Sequence, residues 1–164
     1  LEVIYGAGLR ISEVLNMREG DIDFKEGTLR VLGKRGKTRL VPLPEGTKNW
    51  LLSYLTNARP ALAAKRKTGQ KTATTFFLSN RGNSLLRQVA FSRLNELAKK
   101  AGIPTPIGPH VLRHTYAVHL LQGGADLRAV QELLGHESID TTQVYTQLDL
   151  RAVKNAYEKA HPRR

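Results

Sequence analysis

The chain has no cysteine. Disulfides, thiolate zinc centres and cysteine nucleophiles are excluded together. It has one Trp and one Met, and aromatic residues make up only 6% of its 164 residues. No apolar run approaches the roughly 20 residues that span a bilayer. The opening LEVIYGAGLR has no basic segment leading into an apolar stretch, so no secretory signal is read there. The five histidines do not fall among clustered carboxylates, so neither a metal site nor a cofactor is expected. Acidic residues are scarce, with 14 Asp and Glu against 26 Lys and Arg and a formal net charge of +12.

What is present describes one soluble, folded domain over residues 1–164. Hydrophobic residues are 40% and charged residues 24%, and the length suffices for a sizeable core. The first residues read like the end of a helix already under way, so an N-terminal segment or domain is expected to precede them in the natural protein. The lack of cysteine fits a reducing compartment, and a cytoplasmic location is expected. The positive charge is concentrated. Residues 28–40 carry five basic side chains and no acidic one, whereas residues 61–101 carry nine basic and one acidic. Residues 1–27 carry three basic and six acidic. Charge gathered in blocks on a globular domain points to a polyanionic partner, first of all nucleic acid.

Periodicity predicts a mostly α-helical α+β fold with a small antiparallel sheet. Leu9, Ile11, Val14, Leu15 and Met17 follow helical spacing over about 9–17. Residues 28–41 alternate around the turn Gly33–Lys37, which predicts a β-hairpin with a basic tip. The next helix places Trp50, Leu51, Tyr54 and Leu55 on one side, with Trp50 expected in the core. Residues 64–75 read as an exposed loop and FFLS as a short strand. Ser84 is the expected cap of a helix reaching Ala101, with Gly102 as its stop. Pro109 opens a helix carrying His110, Arg113 and Tyr116. Asp126 caps another that Gly135 ends. The segment 138–149 should be a short helix or helical turn, and 150–160 a last amphipathic helix.

Two arginines distant in sequence, Arg10 and Arg113, could clamp the non-bridging oxygens of one phosphate, because the planar guanidinium fork bonds two oxygens at once. Tyr145 could attack phosphorus and form an ester. The free tyrosine pKa is about 10, so a base such as His110 or a strong positive field must assist. A lysine on the hairpin could protonate the departing sugar oxygen. Alone, each residue has an ordinary structural reading. Arg10 could be a helix ion-pair residue with Glu13, and His110 and His136 could be hydrogen-bonding histidines. Lys34 could be a solvated turn residue.

In order and spacing, GLRISE, VLGKRGKTRLVPL, HVLRHTYA and LLGHESIDTTQVYTQLD together resemble the catalytic domain of the tyrosine site-specific recombinases, the phage-integrase family, and most closely its Xer type. The resemblance covers nearly the whole chain. It implies that Arg10 and Arg113 are the clamp arginines, with Glu13 buttressing the site. Lys34 is the general acid, with Lys37 its nearest rival, and His110 assists as general acid/base. His136 is the third phosphate contact and Tyr145 the nucleophile. It also implies a 3′-phosphotyrosyl intermediate made without metal or ATP, duplex DNA as substrate, and a homo- or hetero-tetramer of protomers on DNA, with the C-terminal helix docking onto a neighbour. Arg35, Lys37 and Arg39 of the hairpin are expected to touch phosphates, and Arg87 and Arg93 of helix 84–101 to face a groove. Resolution of chromosome dimers is the expected role. Integration of a phage or mobile element, type IB topoisomerase-like resealing and a DNA-binding relic are the alternatives.

Overall fold

Alternation sets the sheet. In β2 (Thr28–Leu32) Leu29 and Val31 turn inward, and in β3 (Thr38–Pro42) Arg39 and Val41 do the same. The register pairs Leu29 with Val41 and Val31 with Arg39. The hairpin closes where the Gly33 N–H donates to the Lys37 carbonyl at 2.7 Å. A two-residue strand that the sequence pattern did not disclose, β1 (Ile22–Asp23), pairs antiparallel with β2, giving the order β1-β2-β3. The computed structural model describes residues 1–33, 36–69, 72–104 and 106–135. The hairpin tip Lys34 and Arg35 lies outside the described residues, as do the segment 138–149 and the expected helix 150–160.

Two short helices precede the sheet, α1 (Glu2–Gly6) and α2 (Ile11–Asn16). The turn between them passes Gly8 at φ +61. The helix expected over 9–17 is trimmed because Arg10 and Met17 are both extended, with ψ 147 and 141. After the sheet comes α3 (Glu45–Ser53), which runs through a wide turn at Tyr54–Ala58 into α4 (Arg59–Ala63). Trp50 is not in the core: it is 66% exposed, and Leu51 is the buried neighbour. The inward stripe of α3 runs through Thr47 and Leu51, one turn apart, and Trp50 falls beside it.

Residues 64–69 and 72–75 form neither helix nor strand, in keeping with the expected loop. FFLS makes a single bridge, Leu78 to Ser84, and no strand. Two of its backbone donors go elsewhere: Phe76 N–H to the Met17 carbonyl at 2.7 Å, and Leu78 N–H to the Tyr54 hydroxyl at 2.9 Å. The Phe76 ring lies 5.4 Å from Tyr54 and 5.1 Å from Phe77, centroid to centroid. Burying a side chain of this size contributes roughly 1.5–3 kcal/mol. Ser84 caps no helix. Its hydroxyl bonds Thr75 Oγ1 at 3.0 Å, and α5 (Arg87–Lys100) starts three residues later behind Leu86.

Two further helices complete the described chain, α6 (Pro109–Gln122) and α7 (Leu127–Leu134). Here the local signals hold. Pro109 sits in the first turn of α6, and the Asp126 carboxylate accepts from the Arg128 and Ala129 N–H groups at the start of α7. Gly135 is left-handed at φ 63 and ends α7. The core joins Val3, Ile4 and Ala7 of α1 to Tyr116 and Leu120 of α6, Val130, Leu133 and Leu134 of α7, and the inner face of the sheet. α6 packs on α1 and α7, and α7 also meets β3. The architecture is the mostly helical α+β arrangement that the patterning predicted. Among the described residues no helix is long and apolar enough to cross a membrane.

Candidate active site

One carboxylate gathers three arginines from three parts of the chain. Glu13 occupies the first turn of α2, where it accepts the Arg10 N–H at 2.8 Å and so satisfies a donor at the helix start. The Arg10 side chain bends back and donates Nη1 to Glu13 Oε1 at 3.0 Å. From β3, Arg39 reaches both oxygens, with Nη1 to Oε1 at 2.8 Å and Nη2 to Oε2 at 2.9 Å. From α6, Arg113 Nη1 stands 3.8 Å from Oε2. The Glu13 side chain is only 5% exposed. Four short bonds onto an ionised carboxylate are the kind of charge-assisted network that makes such burial tolerable.

Burial alone would raise the Glu13 carboxyl. The hydrogen bonds and charge of Arg39, with the backbone and side chain of Arg10, outweigh it and hold the group below the usual carboxylate range. Arg113 is brought down to about 10, first by burial and then by the adjacent charge of Arg10, with Glu13 opposing. It therefore remains cationic at neutral pH. Three guanidiniums against one carboxylate leave a positive surplus in the cluster. A surplus of this kind, fixed before any ligand arrives, can stabilise charge on the oxygens of a reacting phosphate.

The arginines are further held by backbone. Arg113 Nη1 donates to the Gly8 carbonyl at 2.6 Å and Nη2 to the Leu134 carbonyl at 2.5 Å. Arg10 Nη2 donates to the Gly135 carbonyl at 3.1 Å, and Arg39 Nε to the Leu133 carbonyl at 2.9 Å. Gly8 is required twice over: its φ is +61, and a Cβ there would stand 2.5 Å from the Tyr116 ring. Exposure falls in the order Arg10 at 34%, Arg113 at 12% and Arg39 at 7%. Arg10 and Arg113, distant in sequence, thus converge on Glu13.

Arg39 departs from expectation. The sequence pattern puts it among the hairpin residues that touch phosphates, but its guanidinium is buried on Glu13 and the α7 end. The pleat explains it: Arg39 shares the inner face of β3 with Val41, opposite Val31 of β2. Lys37 is exposed at the end of the hairpin. His110 is exposed in the first turn of α6, three residues before Arg113 and so on the same side of the helix. Arg87 and Arg93 of α5 are exposed. Arg87 lies 5.5 Å over the Phe91 ring, and Arg93 pairs with Glu96 at 2.6 Å. Lys34, Arg35, His136 and Tyr145 lie outside the described residues.

Residues 1–151 match the model of the phage integrase family. The chain belongs to that family. The tyrosine recombinase XerD of Chlorobaculum tepidum is 43% identical over 99% of this chain and 52% of its own length. The crystal structure of the XerA recombinase superposes with a TM-score of 0.71 at 35% identity, over 99% of this chain and 57% of that one. The XerH site-specific recombinase, solved bound to its difH substrate in a pre-cleavage complex, gives a TM-score of 0.69 at 28% identity, over 94% of this chain and 44% of that one. The chain spans about half the length of these relatives. Over nearly its whole length it is similar to these Xer recombinases, and Arg10, Glu13 and Arg113 stand together in one cluster.

Proposed function

We propose that this recombinase domain cuts and rejoins duplex DNA at specific sites through a covalent tyrosine intermediate. The observation that carries the reading is the positive surplus around Glu13: Arg10 and Arg113, far apart in sequence, are fixed on one carboxylate with Arg10 open to solvent. The Tyr145 hydroxyl oxygen attacks the scissile phosphorus, and its proton passes to His110. The bond from phosphorus to the 5′ oxygen breaks, leaving a 3′-phosphotyrosyl ester and a 5′-hydroxyl protonated by Lys34. Arg10, Arg113 and His136 neutralise the non-bridging oxygens. A 5′-hydroxyl from the partner strand then reverses the attack. The ester preserves the bond energy, so the chain of steps closes with neither ATP nor metal.

Resolution of chromosome dimers in the cytoplasm is the role we assign, on the likeness to Xer recombinases. Protomers assemble as a tetramer on DNA, with the C-terminal helix seated on a neighbour. A DNA-binding domain ahead of this one completes the grip on the duplex. The test is incubation of the native protein with a duplex nicked beside the scissile phosphate, which should give a denaturation-resistant adduct in the presence of a chelator. A protein that binds this DNA yet never forms the adduct would sink the proposal.

Lys37 and Arg35 of the hairpin supply phosphate contacts around the site, and Arg87 and Arg93 of α5 face a groove. If six or more phosphates are neutralised, affinity should fall by about 10³-fold or more between roughly 50 and 200 mM salt. Fluorescence anisotropy across that range measures it, and a flat profile would refute a phosphate-dominated interface.

A further inference from the structure

We infer that Arg39 is a positioning residue for strand cleavage, acting through Glu13 on the two clamp arginines and through a backbone carbonyl on the end of α7. This rests on the reading of the domain as a tyrosine recombinase. Arg39 cannot itself meet DNA, because its side chain is almost wholly buried. Its guanidinium is nonetheless engaged on two sides. The fork made by Nη1 and Nη2 takes both oxygens of Glu13, and Nε takes the Leu133 carbonyl.

Two consequences follow from that geometry. First, Arg39 bonds both oxygens of the Glu13 carboxylate and so fixes its orientation. Without this partner the carboxylate would turn toward Arg10 and Arg113 and neutralise charge that the phosphate needs. Second, the last carbonyls of α7 have no partners within the helix and sit at the negative end of its dipole. Three consecutive carbonyls at this end, two of α7 and one of its C-cap, each receive an arginine: Leu133 from Arg39, Leu134 from Arg113 and Gly135 from Arg10. Arg39 is the member of this set that DNA cannot recruit, so it holds α7 in place while the other two turn to the phosphate. Gly135 is shaped to it: a Cβ there would come within 3.1 Å of Arg39 Nη1 and 3.3 Å of its Cδ. In sequence the chain continues from Gly135 directly into His136 and, nine residues further, Tyr145.

The test compares Arg39→Met, Arg39→Lys, Glu13→Gln and the double variant Arg39→Met with Glu13→Gln in the native protein. Single-turnover adduct formation on the nicked duplex is measured beside DNA affinity and thermal melting. Misplacement of a clamp by about 1 Å costs on the order of 100-fold, so Arg39→Met should cleave about 100-fold more slowly while binding DNA within about threefold of wild type. Arg39→Lys should recover less than about a tenth of the rate, because one ammonium cannot bond two carboxylate oxygens in a fixed fork and a carbonyl as well. The double variant removes both buried charges, which favours folding if Arg39→Met alone does not fold. Its rate should be no lower than that of the more damaging single change, because the two residues act as one unit. A folded Arg39→Met or Arg39→Lys protein cleaving at the wild-type rate would overturn the inference, as would rate and affinity falling in equal proportion. Absence of adduct from the wild-type protein itself would instead refute the recombinase reading.

Discussion

Replacement of Tyr145 by Phe should abolish the covalent adduct while leaving DNA binding within about threefold of wild type. The change removes one oxygen and keeps the ring, so the loss is chemical. Deleting the nucleophile of a covalent mechanism lowers turnover on the order of 10⁴-fold or more. The other tyrosines among the described residues are poor substitutes. Tyr116 is fully buried, and burial pushes its hydroxyl well above the ordinary value. The Tyr54 hydroxyl is also raised by burial and accepts the Leu78 N–H. The Tyr5 hydroxyl is bonded to His119 Nδ1 at 2.8 Å. Adducts resolved on a denaturing gel, with Tyr157→Phe as a matched control, check the result. Full adduct yield from the Tyr145 variant would assign the chemistry to another side chain.

Glu13→Ala should be among the most destabilising single changes in the domain. It strands Arg39 in a buried pocket with its charge uncompensated, beside Arg10 and Arg113. Breaking a buried pair by removing one partner costs about 3–5 kcal/mol. For a chain of this size each kcal/mol lowers the melting temperature by roughly 2–4 °C, so a fall on the order of 6–20 °C is expected. Scanning calorimetry would measure it, and a change under about 2 °C would show that the network contributes little. The acid limb carries the same signature. Glu13 titrates lower in the folded chain than unfolded, so its contribution is complete above the unfolded value. It is lost as pH falls through the folded one. Glu13→Gln should flatten that part of the stability profile.

How far the site was legible depended on how local its determinants are. Arg10 and Glu13 stand three residues apart, as do His110 and Arg113, so each pair was local in the sequence, while the resemblance to the family implied their roles. Asp126 and Gly135 bracket α7 through bonds within three residues, and both were readable. Arg39 was misread because five basic residues cluster in its stretch. Its direction depends on which face of the hairpin is inward, and the alternation with Val31 and Val41 held that signal. Trp50 was misplaced by one step of helical phase. Ser84 has the chemistry of a cap, yet its partner is Thr75 across a turn. The carbonyls of Leu133, Leu134 and Gly135 carry no side-chain identity at all, so no sequence pattern could mark them as acceptors.

The peptide at Gly8 joins what is usually kept apart. On one side its carbonyl holds Arg113, and on the other its bare α-carbon lies against the Tyr116 ring, which belongs to the same helix as Arg113. A single methyl added there would push the ring and shift the guanidinium in one stroke. On the proposed mechanism, variation at this uncharged residue would therefore slow strand cleavage through Arg113 without removing any charge.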